Sequence, residues 1–287
     1  MTGPVPARIE AELRSSFALV DDPRFADGVL AMLTTPIDAD FIAAAGPQLK
    51  IVANYGVGVD NVDLAAARDR GLVVANTPDV LTQSTAELAI ALTLALLRRV
   101  VEGDRFLRAR RPWSFQIEFM LGEGLAEKEF GVVGAGRIGK ATARLAEAHG
   151  ARPFFAGRND DLNLLLERAD IVSLHCPLTA ETRHLIDAAA LERMKPTAVL
   201  VNTARGPIVD EQALVAALRD GSIAGAALDV YEHEPAVSDE LLAMENVVLT
   251  PHLGSATLAT REAMGLLAVQ ALRSVLLDGV RPANAVS

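Results

Sequence analysis

The chain has 287 residues, enough for two modest domains, and its 51% apolar and 22% charged side chains exclude extensive disorder. A formal net charge of −10 argues against a nucleic-acid partner, which would need clustered Lys and Arg, though a locally positive pocket can still hold a small anion. The single cysteine, Cys176, excludes intrachain disulfides and multi-cysteine metal sites.

The opening MTGPVPARIEAELRSSF has no continuous apolar core of the kind a signal peptide carries. The longest apolar run, LAIALTLALL, is too short to span a bilayer. A cytoplasmic protein without a membrane partner is expected. Next, strand-like GVLAML, LKIVANYG and LVVANTP alternate with helix-like DADFIAAAG and VDLAAARDRG. That βαβ rhythm predicts a parallel sheet.

TAELAIALTLALLRRVVEGDRFLRAR predicts one long helix, apolar almost all round in its first half. Such a helix is expected between domains or subunits, and suggests a homodimer. RRPWSFQIEFMLGEGLAEK reads as an irregular connector. From Glu129 the rhythm restarts, with strands at FGVVG, RPFFAG, ADIVSLH, TAVLVNTA, AGAALDV and NVVLTPH. Several are separated by helical patterns, a doubly wound layout whose ligands bind beyond the carboxyl ends of the strands. The closing TLATREAMGLLAVQALRSVLLDG is a long helix expected to pack back on the first domain. The predicted fold is therefore α/β, with two Rossmann-like or flavodoxin-like domains. A cofactor domain at 97–255 is inserted into a discontinuous substrate domain at 1–96 plus 256–287.

Gly134-Ala135-Gly136-Arg137-Ile138-Gly139 matches G-x-G-x-x-G between an apolar strand and an Ala-rich helix. The glycines permit a tight turn and close approach of a pyrophosphate to a helix N-terminus; without that context they would be a plain glycine turn. An acid that grips the adenosine ribose is expected about twenty residues on, at the next strand end. Here that end reads Gly157-Arg158-Asn159. Gly157 removes the acid, Arg158 adds a planar cation suited to a 2′-phosphate, and Asn159 adds a neutral donor. NADP(H) is the preferred cofactor on this reading. Asp160 and Asp161 are rival ribose ligands and leave NAD(H) open.

Three reactive side chains follow strand ends. Arg205 in NTARGPIVD offers a fork for carboxylate and carbonyl oxygens, and His252 in PHLGSAT can donate a proton near neutrality. Glu234 in EHEP can hold that histidine protonated, although Glu232 and His233 beside it are equally plausible on sequence. Alone, each would more often be structural; their convergence at one end of one sheet points to acid–base chemistry. His175-Cys176 lacks metal-ligand spacing and reads as a strand end lining the cofactor cleft, while His149 and His184 read as structural.

These stretches, with LKIVANYGVGVDNVDL, GLVVANTPDVLTQSTAELA, ADIVSLHCPLTAETRHLI and GAALDVYEHEP, resemble the D-isomer-specific 2-hydroxyacid dehydrogenases. The likeness covers nearly the whole chain and is strongest to the glyoxylate/hydroxypyruvate reductase branch. It implies an NADPH-dependent reduction of a short 2-oxo acid to the D-2-hydroxy acid by a homodimer. The implied catalytic residues are Arg205, Glu234 and His252, with the N–H groups of Val57 and Gly58 on the substrate carboxylate. Further cofactor contacts implied are Thr85, Pro177, Thr182, Ala204 and Asp229. No metal is implied. The same resemblance leaves open an NAD-dependent 2-hydroxyacid, phosphoglycerate or phosphite dehydrogenase, and a dinucleotide-sensing corepressor-like protein. Three departures stand out: no apolar strand opens the chain, the connector diverges near Ala126-Glu127, and GRND runs almost directly into LNLLLERAD.

Overall fold

The computed structural model describes residues 1–286. The chain divides into two units, Met1–Leu81 with the stretch from Ser255 onward, and Thr82–Gly254. Among the described residues, no helix is long and apolar enough to cross a membrane.

The first unit contains α1 (Ala7–Ser16), β1 (Gly28–Ala31), α2 (Ala39–Ala45), β2 (Ile51–Asn54), α3 (Leu64–Asp69) and β3 (Val73–Ala75). The strands form a parallel sheet in the order β1-β2-β3. Its central strand β2 is wholly buried, as the unbroken apolar run requires of a strand covered on both faces. Aspartates start two helices: the Asp38 carboxylate accepts the Phe41 N–H, and Asp63 accepts those of Ala65 and Ala66. The opening segment, which promised no strand, forms α1. It packs on the C-terminal helix (Leu258–Leu276), where Ile9 sits so close to Gly265 that a side-chain carbon there would lie 2.4 Å from it.

The second unit begins with α4 (Thr82–Leu97) and α5 (Val100–Arg108). It continues through β4 (Glu129–Val133), α6 (Arg137–Ala148), β5 (Arg152–Ala156), α7 (Leu162–Arg168), β6 (Ile171–Leu174), α8 (Ala188–Arg193) and β7 (Val199–Asn202). It ends with α9 (Glu211–Asp220), β8 (Gly225–Leu228), α10 (Asp239–Ala243) and β9 (Val247–Leu249). The sheet is parallel throughout, in the order β5-β4-β6-β7-β8-β9. From β4 the chain steps outward to β5 and then returns past β4 to β6. The crevice beyond β4 and β6 is thus the switch point where such sheets bind ligands. At the opposite end the Asp170 carboxylate pins the strand starts, accepting the Glu129 N–H and the Lys195 ammonium, each at 2.9 Å.

Two expectations about the apolar helix are corrected. It is not continuous: Arg99 adopts φ +54°, a left-handed conformation that ends α4 before α5 begins. Nor does its burial need a second domain or subunit. α4 packs inside the second unit, on α6 and on β7, β8 and β9, burying Ala86, Ala89, Ile90 and Leu92. The division accordingly falls at Leu81/Thr82 and Gly254/Ser255, where the sequence suggested 96/97 and 255/256. Several exposed apolar side chains cluster along the connector, where Trp113, Phe115, Ile117 and Leu121 face outward. Trp113 stacks on Phe119, whose ring edge meets Phe106.

Candidate active site

The glycine turn joins β4 to α6. Gly134 has φ +101°, and a side-chain carbon on it would lie 2.7 Å from the His175 carbonyl carbon and the Cys176 nitrogen. One on Gly139 would lie 2.1 Å from the Gly134 carbonyl oxygen. Both positions require glycine for close packing. Gly136, between them, faces open space and forms the N-cap of α6, with Arg137 and Ile138 in the first turn. Two closed glycines framing an open one at a helix N-terminus suit a pyrophosphate, so the residues present fit a dinucleotide.

Beside this turn, the His175 N–H donates to the Val133 carbonyl, and its Nε2 lies 2.8 Å from Ser173 Oγ. Its Nδ1 is buried with no partner among the described residues, as is Thr203 Oγ1. Burial pushes the His175 ring down to about 4, so it is neutral, and pushes the Cys176 thiol up to about 11. A thiol so protonated is no nucleophile. Among the described residues no cluster of metal ligands exists. Nearby, Thr182 Oγ1 donates to the Pro177 carbonyl at 2.6 Å, and buried Thr85 donates to the Gly254 carbonyl at 3.2 Å.

At the tip of β5 the two acids that follow Asn159 have different fates. Asp161 caps α7, accepting the Asn163 N–H. Asp160 folds back: its Oδ2 accepts the Gly157 N–H at 2.7 Å and lies 3.2 Å from where a Gly157 side-chain carbon would be. A carboxylate therefore lies at the strand end although Gly157 itself carries no side chain. Arg158 is exposed, and its charge reaches Glu181. The Glu181 carboxyl is held below the ordinary range by the Thr179 hydroxyl first and by Arg158 to a lesser degree.

The three reactive residues sit on loops after β7, β8 and β9. The Asn202 side chain shapes the first loop, accepting the Ala204 N–H and donating to the Arg205 carbonyl, while Arg205 donates to the Ala204 carbonyl. In the second loop the Tyr231 N–H donates to Glu234 Oε1 at 3.0 Å, and Glu234 Oε2 lies 2.9 Å from His252 Nδ1. Neither Glu232 nor His233 takes that place: Glu232 turns to His184, and His233 is exposed. Burial pushes the Glu234 carboxyl up, but the His252 hydrogen bond and charge, the Tyr231 N–H and Arg205 outweigh it and hold it below its ordinary value.

His252 itself has φ +54°, a conformation uncommon outside glycine and concentrated at functional positions. Buried Asp229 sustains it. The Asp229 carbonyl accepts the His252 N–H, and its carboxylate accepts the Thr250 hydroxyl and the Leu253 and Gly254 N–H groups at 2.6–2.8 Å. Burial raises the Asp229 carboxyl despite those donors. Asn202, Tyr231 and Asp229 thus hold loops that reactive-group chemistry alone would not have assigned to them.

Val57 and Gly58 lie in the first unit, after β2. Their carbonyls accept from Asn76 and Asn54 side chains at 2.8 and 2.7 Å, and Asn61 donates to Asn54 Oδ1. Among the described residues their N–H groups have no protein partner.

A parallel sheet with a dinucleotide turn at its switch point and an Arg–Glu–His set beyond neighbouring strands defines an NAD(P)-dependent dehydrogenase. Residues 90–254 match the family model "D-isomer specific 2-hydroxyacid dehydrogenase, NAD binding domain". A glyoxylate reductase of Thermococcus litoralis is 42% identical over 286 residues, covering 94% of this chain and 86% of that protein. A crystal structure of a Thermus thermophilus protein superposes with a TM-score of 0.92 at 41% identity, covering 100% of this chain and 98% of that one. An NADPH-dependent glyoxylate/hydroxypyruvate reductase of Sinorhizobium meliloti, solved with NADP and malonate, gives 0.89 at 36% identity, covering 99% and 95%. The chain belongs to the D-isomer-specific 2-hydroxyacid dehydrogenase family.

Proposed function

We propose that this protein reduces glyoxylate, hydroxypyruvate or a similarly short 2-oxo acid to the D-2-hydroxy acid. The observation that carries this reading is the Glu234–His252 couple at 2.9 Å, with the charge of Arg205 acting on Glu234. A nicotinamide cofactor held at the glycine turn would supply the hydride. Arg205 binds the substrate carboxylate and polarises the carbonyl, and the family resemblance adds the N–H groups of Val57 and Gly58 in the first unit as further carboxylate donors. His252 gives its Nε2 proton to the forming alkoxide oxygen. Glu234, at His252 Nδ1, keeps the imidazole in the right orientation. The test is direct: loss of NADPH absorbance on mixing with glyoxylate or hydroxypyruvate is expected, and no oxidation across a panel of short 2-oxo acids would reject the reading.

NADPH is the proposed cofactor because Arg158 offers a cation where a ribose acid is absent. The turn at Gly134, Gly136, Arg137, Ile138 and Gly139 would take the pyrophosphate. Gly157, Arg158 and Asn159 would surround the 2′-phosphate, and Thr85, Pro177, Thr182, Ala204 and Asp229 complete the proposed contacts. One observation favours NADH as a second substrate: the Asp160 carboxylate on the Gly157 N–H is placed like a ribose acid. A homodimer is proposed from the exposed connector, where Phe115 is 83% and Ile117 81% exposed. Sedimentation should give a dimer that Phe115→Glu with Ile117→Glu converts to monomer; an unchanged dimer would exclude this arm as its interface.

A further inference from the structure

His184 stands outside the Arg–Glu–His set, yet it touches both of the loops that carry Arg205 and Glu234. Its N–H donates to the Pro207 carbonyl at 2.8 Å, two residues beyond Arg205. Its Nε2 lies 2.6 Å from Glu232 Oε1, two residues before Glu234. The neighbouring chain continues the first link, since the Ile186 N–H donates to the Ile208 carbonyl and the Asp210 N–H to the Ile186 carbonyl.

Glu232 is a junction in its own right. Its other carboxylate oxygen accepts the Glu211 N–H at 3.2 Å, and its own N–H donates to the Glu211 carboxylate at 3.1 Å. Its carboxyl is pushed up by burial but held below the ordinary range by the His184 hydrogen bond, the Glu211 N–H and the charges of His184 and His233.

The two loops also meet backbone to backbone. A side-chain carbon on Gly206 would lie 1.8 Å from the Tyr231 carbonyl oxygen and 2.5 Å from the Glu232 nitrogen. The residue after Arg205 thus presses on the two residues that lead to Glu234, with no room for slack. Tyr231 is also the residue whose N–H fixes Glu234 Oε1. A shift of Tyr231–Glu232 would pass directly to the carboxylate that orients His252.

We infer that His184 and Glu232 form a positioning pair that sets the Arg205 loop against the Glu234 loop. The inference rests on the catalytic reading of Arg205, Glu234 and His252 given above. The pair touches neither substrate nor cofactor; it acts through Tyr231, Glu234 and the Arg205 backbone. A displacement of about 1 Å in such a group is enough to lower turnover about a hundredfold.

The experiment compares His184→Ala, His184→Gln and Glu232→Gln. His184 has φ +51°, so alanine and glutamine bear the same backbone penalty and their difference reports the side chain. With NADPH and glyoxylate, His184→Ala should lower kcat by about ten- to a hundredfold. NADPH affinity, read by fluorescence, should be unchanged, and His184→Gln should recover most of the loss. The acid limb of the pH–rate profile, set by the Glu234 carboxyl, should move to higher pH as its contacts with His252 and Tyr231 loosen.

Hydrogen exchange gives a readout independent of turnover. The Tyr231 N–H should exchange faster in His184→Ala and Glu232→Gln, while those of β7 and β8 stay protected. Wild-type kcat and pH profile in folded His184→Ala, or unchanged exchange at Tyr231, would overturn the pair's role. Loss of turnover in proportion to unfolded protein would do the same. Failure of wild type to turn over glyoxylate would instead strike the catalytic reading, with the exchange result still deciding whether the pair couples the loops.

Discussion

Glu234 Oε2 and His252 Nδ1 lie 2.9 Å apart, on loops that follow different strands, and each is held by a separate buried device. Tyr231 fixes the carboxylate through its N–H, and Asp229 fixes the histidine backbone through its carbonyl. The couple is therefore a property of the sheet, since β8 and β9 must pair in register for the two loops to meet.

The first prediction concerns pH. Burial alone would raise the Glu234 carboxyl, but His252, Tyr231 and Arg205 hold it below its ordinary 4.5, so it is charged at neutrality. That charged carboxylate accepts at His252 Nδ1 and orients the ring that serves as proton donor in reduction. Glu234→Gln should lower kcat/KM for reduction by about a hundredfold or more at neutral pH, and should abolish the acid limb that protonation of Glu234 gives wild type below 4.5. A full pH–rate profile checks it. An acid limb that stays in place would show that it does not arise from this carboxylate.

Packing gives the second. Gly206→Ala would drive a methyl into the Tyr231 carbonyl, and should destabilise the protein by about 1–3 kcal/mol or displace the Arg205 loop. Gly124, with nothing near its missing side chain, is the control, and its alanine variant should stay within about 0.5 kcal/mol of wild type. Denaturant melts of the two variants measure the difference.

Cofactor choice gives the third. Arg158→Ala should weaken NADPH binding by about tenfold and leave NADH nearly unaffected, since a charged hydrogen bond to phosphate is lost only for NADPH. Asp160→Asn should act in the opposite sense, improving NADPH relative to NADH by removing a negative charge beside Gly157. Titrations of both cofactors against both variants test this. Equal losses for the two cofactors in Arg158→Ala would end the NADP assignment.

The fourth is a stability-linked titration at the far end of the sheet. Burial pushes Asp170 up, but the Lys195 hydrogen bond, the Glu129 N–H and the charges of Lys195 and Lys128 hold it below its ordinary 3.8. A carboxyl depressed on folding contributes stability that is fully present above its unfolded value and is lost as pH falls through the folded one. Asp170→Asn should therefore be less stable than wild type at neutral pH, by about 0.5–1 kcal/mol for a partly exposed pair. The gap should close below 3.8. Thermal melts across that range give the answer.

Much of this was legible in the residues because parallel strands buried on both faces read as unbroken apolar runs. VVANTP, FGVVG and ALDV announce themselves in that way. Arg205 and His252 were legible because reactive groups gather at strand ends in this architecture. Glu234 was separable from Glu232 and His233 only through three-dimensional pairing, since the three stand within one tripeptide. The break at Arg99 left no composition signal, because neither glycine nor proline marks it. Sequence also leaves the cover of α4 open: an all-round apolar helix says that it is buried, not by what. Asp160 and Asp161 looked alike in sequence, and only the cap of α7 and the turn at Gly157 gave them different roles.

The most direct test of the central claim separates turnover from cofactor binding in His252→Ala. Turnover of glyoxylate with NADPH should fall by about a thousandfold, while the NADPH dissociation constant, read by fluorescence, should change less than about twofold, since no cofactor contact is assigned to this ring. Turnover that persists near the wild-type rate, or a matching loss of cofactor affinity, would contradict the role of His252 as the proton donor.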